Sequence, residues 1–185
     1  MKALVIVDMQ NDFVNATGKL AVPNAKDIVK EIQDLILTFK GKGQKVIYTA
    51  DWHEKDDAEF NVWPEHCVKE TEGAKIVKGL AATDATVIKK TVLSAWSNPE
   101  MEEALEGVDE VFVVGVATEY CVKEFALGAA VKGLLTNLVV DAIKGVDEVP
   151  NAKHTKGNVA YALTIMGAAG VVPIWSDEIE KKLEA

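Results

Sequence analysis

At 185 residues, 49% hydrophobic and 26% charged, the chain has the length and apolar content of one ordinary domain, spanning 1–185, that can bury a large core. A formal net charge of −9 excludes nonspecific attraction to nucleic acid or anionic lipid and favours a small-molecule or protein partner. The opening apolar run Ala3–Val7 is cut off by Asp8, too short for an export signal or a membrane span, and Cys67 and Cys121 lie far apart, so reduced thiols in a cytoplasmic protein are expected.

Short apolar runs bounded by Gly, Asp, Asn or Pro predict six buried strands at Leu4–Val7, Val46–Tyr48, Thr86–Ile88, Val111–Val114, Leu138–Val140 and Val171–Ile174. Helical spacing predicts helices over Ala25–Lys40, Pro99–Leu105, Glu119–Lys132 and Lys156–Ala169, the last two stopped by Gly133 and Gly170. A charged terminal helix is predicted from Ser176 to Ala185. Strands alternating with helices call for a three-layer α/β/α sandwich with a six-stranded, mostly parallel, Rossmann-like sheet. The stretch from His53 to Leu80 breaks the rhythm, and a long loop inside a compact domain is usually functional or disordered.

In an open parallel sheet, ligands gather outside the carboxyl ends of the strands. The residues at those ends are Asp8, then Asp51 with His53, then Lys89 or Lys90, then a turn leading to Cys121. A thiol at a turn-to-helix junction beside a lysine is favoured as thiolate, and backbone N–H groups of the same turn can receive an oxyanion. Taken alone, such a cysteine is more often an inert core residue. Asp8 reads either as a cap on the residues after it or as a general base. The lysine pair reads either as a solvated strand end or as the counter-charge, with Lys90 preferred. Asp51 and His53, two apart in extended chain, can face one cation, and His66 is the best third ligand. Two imidazoles and a carboxylate suit Zn²⁺ first, with Fe²⁺ or Mn²⁺ as alternatives. Cys67 reads as packing and His154 as a loop residue. Phe13, Trp52, Trp63 and Trp96 are placed near the site, where aromatic faces would hold a ring substrate. No G-x-G-x-x-G follows a strand and no G-x-x-x-x-G-K-[ST] occurs, which argues against dinucleotide or triphosphate binding.

Together, Val7-Asp8-Met9-Gln10-Asn11-Asp12-Phe13, Lys90 ahead of Ser94-Ala95-Trp96, and Gly115-Val116-Ala117-Thr118-Glu119-Tyr120-Cys121-Val122 resemble isochorismatase-like cysteine hydrolases. Asp51-Trp52-His53 and Trp63-Pro64-Glu65-His66-Cys67-Val68 are similar to the metal-binding segments of the nicotinamidase/pyrazinamidase branch. The resemblance implies a catalytic triad of Asp8, Lys90 and Cys121 and a divalent metal on Asp51, His53 and His66. It implies an oxyanion hole from the N–H groups of Ala117 and Cys121, with a cis peptide entering Ala117. It further implies a substrate pocket from Phe13, Trp63, Val116, Ala117 and Tyr120, deamidation of nicotinamide or pyrazinamide through a thioester, a place in NAD salvage, and a homo-oligomer. The alternatives are a related cysteine hydrolase of a carbamoyl, ureido or other small amide, and a catalytically silent binding protein of the same fold.

Overall fold

The computed structural model describes residues 1–80, 85–147 and 159–184. Its strands are β1 (Lys2–Val7), β2 (Lys45–Asp51), β3 (Thr86–Lys90), β4 (Glu110–Val116), β5 (Leu135–Lys144) and β6 (Val172–Ile174). Its helices are α1 (Asn11–Val14), α2 (Val29–Gly41), α3 (Glu100–Ala104), α4 (Lys123–Val131), α5 (Val159–Ala168) and α6 (Ile179–Glu184). The strands form one sheet in the order β3-β2-β1-β4-β5-β6, and every pairing is parallel, so the expectation of a mostly parallel sheet is sharpened to a fully parallel one.

The alternation within β1 builds the layers. Leu4 and Ile6 point to a core shared with Ile32, Leu35 and Phe39 of α2 and Ile179 of α6. Ala3, Val5 and Val7 point the other way, to a core shared with Met101 of α3, Phe125, Ala126 and Ala129 of α4, and Met166 of α5. Both faces of the sheet are covered, which is why its central strands read as unbroken apolar runs rather than as alternating ones.

Strand order reverses between β1 and β4, so the crossovers leave β1 toward β2 on one side and β4 toward β5 on the other. A crevice opens above the carboxyl ends of these two neighbours. Gly115 lets them approach there: it has φ +109°, and a side chain on it would lie 2.2 Å from the carbonyl oxygen of Val7.

Several boundaries differ from those read in the sequence. The region Ala25–Ile28 is a 3₁₀ turn before α2, and Thr118–Val122 is a π-type turn broken at Tyr120 (φ −118°, ψ −106°), so α4 begins only at Lys123. Strand β5 runs well past the predicted Leu138–Val140, because parallel pairing with β4 resumes after a register shift beyond Val113. Gly133 and Gly170 have φ +84° and +90° beyond α4 and α5, as expected of helix stops. His154 and the predicted start of α5 at Lys156 lie outside the described residues. Among the described residues, no helix is long and apolar enough to cross a membrane.

Candidate active site

The crevice collects the strand ends as polar residues. Asp8 follows β1 in a left-handed conformation (φ +48°), one that Asp tolerates better than most residues, and this turns its carboxylate back over the sheet edge. Oδ1 of Asp8 accepts a hydrogen bond from Thr49 Oγ1 at 2.6 Å, and Oδ2 lies 2.8 Å from Lys90 Nζ. The side chain caps none of the residues after it. That Lys90 contact is ionic rather than an aligned hydrogen bond, so Oδ2 keeps acceptor capacity. Lys90 is only 3% exposed and also pairs with Asp51 Oδ1 and reaches Cys121 Sγ at 3.5 Å. Strand alternation resolves the lysine pair, since Lys89 points out and lies over the Trp52 ring while Lys90 points in.

Oxygen atoms of Asp8 and Asp51 and the sulfur of Cys121 all lie within 4.8 Å of one another around that single ammonium. Burial raises the carboxyl of Asp8, and the Lys90 charge only partly offsets it. Burial also acts to raise Asp51, but Lys90 and the contacts to His53 and His66 outweigh it and hold Asp51 well below the usual carboxylate range. The thiol of Cys121 departs from expectation. Burial and the neighbouring carboxylates of Asp8 and Asp51 push it well above its ordinary value despite Lys90, so the resting group is S–H rather than thiolate. A helix end and one lysine are outweighed because the thiol is taken out of water and two carboxylates are buried beside it.

Beside this cluster, Asp51, His53 and His66 bring one ligand atom each within 4.8 Å, all buried. His66 Nδ1 sits 2.7 Å from the Pro64 carbonyl oxygen, which can only accept, so the proton is on Nδ1 and Nε2 carries the lone pair. His53 Nδ1 faces Asp57 Oδ2 at 3.1 Å, which fixes the same tautomer. The Nε2 atom of His53 is buried without a hydrogen-bond partner, 3.8 Å from Asp51 Oδ2, and His66 Nε2 is 3.5 Å from the same oxygen. Two lone pairs aimed at one carboxylate oxygen leave a buried imidazole unsatisfied unless a cation lies between them, so the donor set fits a divalent metal. Asp57 orients His53 from behind, and Asp57→Ala is expected to weaken zinc binding by about 10–100-fold. Titration of the metal-free protein against a zinc indicator checks this; unchanged affinity would remove Asp57 from the set.

Both sites open into one cavity of about 110 Å³, against the roughly 10–15 Å³ that a single water needs on the same measure, so it admits a small molecule. Asp8, Asp51, His66 and Cys121 line it, together with Phe13, Trp63, Val116, Ala117 and Tyr120. Trp63 and Tyr120 meet edge to face at 5.3 Å. The peptide between Val116 and Ala117 is cis. The remaining two aromatics predicted near the site are elsewhere: Trp52 packs under Lys89, and Trp96 stacks on Phe125 while its indole N–H donates to the Phe125 carbonyl oxygen. Both were placed by nearness in sequence to site residues, which says nothing of the direction a ring takes. Cys67 is buried and its thiol is raised by burial, in keeping with packing.

Four contributors were given no role of their own by the sequence, although Gln10 and Asp12 lie within the motif that follows β1. Thr49 holds Asp8. The side-chain amide of Gln10 accepts from the Asp51 N–H at 2.8 Å and donates to the Asp51 carbonyl oxygen at 2.8 Å, clamping the ligand-bearing end of β2. Asp12 Oδ2 accepts from the Cys67 N–H at 2.8 Å and pins the corner that presents His66. Glu59 lines the cavity half-buried. Only the first two positions of such long-range contacts are visible in a sequence, never the pairing.

Comparison with known proteins bears on the family and the fold. The isochorismatase domain model matches residues 2–169. A nicotinamidase/pyrazinamidase of Mycobacterium tuberculosis is 35% identical over 165 residues, covering 79% of this chain and 88% of that protein. The structure of a Pyrococcus horikoshii pyrazinamidase in complex with zinc is 33% identical, with a TM-score of 0.84, covering 94% of this chain and 98% of that one. An N-carbamoylsarcosine amidase from Thermoplasma acidophilum is 28% identical, with a TM-score of 0.79 and coverage of 97% and 98%.

Proposed function

We propose that the chain, which belongs to the isochorismatase domain family, is a cysteine-dependent amidase that deamidates nicotinamide, and pyrazinamide with it, to the acid and ammonia. The observation that carries this reading is that Asp8, Lys90 and Cys121 share one ammonium-centred cluster, and that Asp8 and Cys121 line the same cavity as Asp51, His66 and the rings of Phe13 and Trp63.

Because the resting thiol is protonated, deprotonation accompanies attack. Asp8 takes the Cys121 proton as sulfur bonds to the carboxamide carbon, so the negative charge passes from Asp8 to the developing oxyanion, while Lys90 compensates Asp8 whenever that carboxylate is ionised. The N–H groups of Ala117 and Cys121 receive the oxyanion. Collapse breaks the C–N bond, Asp8 returns its proton to the leaving nitrogen, and ammonia departs from a thioester. Asp8 then deprotonates a water that attacks the thioester, and the proton goes back to sulfur as the acid leaves. A divalent ion held by Asp51, His53 and His66 would supply a Lewis-acid position for the pyridine nitrogen of the substrate. Phe13 and Trp63 present flat apolar faces suited to the ring.

Asp8 sets the pH dependence. A base acts only when ionised, and burial raises this carboxyl above its ordinary value. kcat/KM therefore falls as pH drops through that raised value, on an acid limb lying above about pH 4, where an unperturbed aspartate titrates. An acid limb at or below the ordinary range would count against Asp8 as the base.

The deciding experiment is ammonia release from nicotinamide by the zinc-loaded protein, with and without a chelator. Turnover that declines with chelator supports the reading; no release from loaded protein sinks nicotinamide as substrate. Resemblance to the N-carbamoylsarcosine amidase supports a second reading, hydrolysis of a carbamoyl or ureido compound by the same thiol, so an N-carbamoyl amino acid belongs in the same assay.

A further inference from the structure

We propose that Glu119 is a positioning residue that holds Val146 as a wall of the substrate cavity and thereby sets how large a group can reach Cys121. The inference rests on Cys121 being the reactive group of the site, and not on the identity of the amide.

Glu119 stands two residues before Cys121 in the turn Thr118–Val122 and is 1% exposed. It does not line the cavity. Its Oε1 accepts hydrogen bonds from the N–H groups of Val146 at 2.8 Å and Asp147 at 2.9 Å, which follow Gly145 in the loop that leaves β5. Val146 lines the cavity and is 49% exposed, a large aliphatic side chain left open at the mouth. Gly145 allows the approach: a side chain there would fall 2.5 Å from Glu119 Oε2 and 2.2 Å from Val159 Cγ2. The only other backbone bond described for these two loop residues is from the Val159 N–H to the Asp147 carbonyl oxygen at 3.3 Å.

One carboxylate thus ties the turn that carries the thiol to the loop that walls the cavity just beyond the last backbone pair of β4 and β5, Val116 with Lys144, so past that pair their spacing is set by a side chain. Burial raises the Glu119 carboxyl while its own N–H and the two loop amides pull it down, and Oε2 is buried without a hydrogen-bond partner. Both loop amides are satisfied by Oε1 alone. A glutamine, whose carbonyl oxygen can accept both, would therefore preserve the arrangement, whereas alanine would release it.

The test compares alkylation of Cys121 by a small reagent, iodoacetamide, and a bulky one, N-phenylmaleimide, followed by peptide mass spectrometry. In Glu119→Ala the rate with the bulky reagent, relative to the small one, is expected to rise severalfold. Val146→Ala gives a similar rise, and the double variant gives no more than the larger single effect, because both changes open the same wall. Glu119→Gln retains the wild-type ratio. An unchanged ratio in folded Glu119→Ala, or a fully additive double variant, overturns the proposal. If Glu119→Ala does not fold, Glu119→Ser replaces it, since its hydroxyl is too short to reach either amide. If neither reagent reaches the thiol, hydrogen exchange at Val146 and Asp147 decides: faster exchange in the Ala or Ser variant but not in Gln supports the tether, and unchanged exchange overturns it. Failure of nicotinamide turnover would leave all of these readouts in place.

Discussion

Replacing Cys121 with alanine is expected to lower kcat for nicotinamide by roughly 10⁴–10⁶-fold, the scale on which loss of a nucleophile removes covalent catalysis and leaves only binding and oxyanion stabilisation. The expectation follows from the site. Cys121 is the only sulfur in the cavity among the described residues, 6% exposed, with its proton acceptor and a buried ammonium both in reach. Small stability effects should accompany it, since a thiol truncated to a methyl removes one buried atom and leaves Asp8 and Lys90 paired. The variant also separates the two functions of the pocket: metal binding by Asp51, His53 and His66 should survive. Ammonia release measured over hours checks the first point and zinc titration the second. A Cys121→Ala protein with more than a few per cent of wild-type turnover would end the thioester reading.

Lys90→Met should cost about 3–5 kcal/mol of stability in the metal-free protein at neutral pH, the usual penalty for removing one partner from a buried ionic group. Lys90 is the single cation described between Asp8 and Asp51, and neither carboxylate can turn to water. Without it, at least one must take up a proton or stay charged and uncompensated. Both carboxyls would then titrate above their unfolded values, so the penalty is absent below the ordinary carboxylate range, near pH 4, and grows as pH rises through the folded values. Urea denaturation at two pH values tests sign and size together. Zinc should restore part of the loss by binding Asp51 only in the folded state. A loss under 1 kcal/mol at neutral pH would mean that the three charges are not held together as described.

The first result bears on an earlier expectation about the thiol. Position at a turn-to-helix junction beside a lysine suggests a thiolate, yet the surroundings favour S–H, first because the thiol is buried and second because Asp8 and Asp51 lie beside the sulfur. The resting enzyme is thus expected to be slow toward general electrophiles, while a bound carboxamide draws proton transfer to Asp8 along with attack. Selectivity for substrate over adventitious reagents follows from that coupling.

The sequence by itself determined the layer order and the carboxyl ends of the first four strands to within three residues. Apolar runs of strand length alternating with helical spacing specify a buried parallel sheet, since only two-sided burial makes such runs stable. Once the sheet is parallel, its carboxyl edge must carry Asp8, Asp51, one of Lys89 and Lys90, and the turn of Cys121, because those residues lie at or just past the ends of the runs. His66 was legible for a different reason, the scarcity of imidazoles near a pair already two residues apart. Tertiary structure alone decided everything that depends on side-chain direction and long-range pairing. Lys90 rather than Lys89 faces inward by the phase of β3, which the neighbouring strand sets. Trp63 enters the cavity and Trp96 turns into the α4 layer, although both looked alike as aromatic residues beside site segments. Thr49, Gln10, Asp12 and Glu119 matter through partners up to 64 residues away, and a hydrogen bond between such positions leaves no periodic trace in the chain. Local patterns encode which face a segment buries; which two polar groups meet across the fold is settled only when the segments pack.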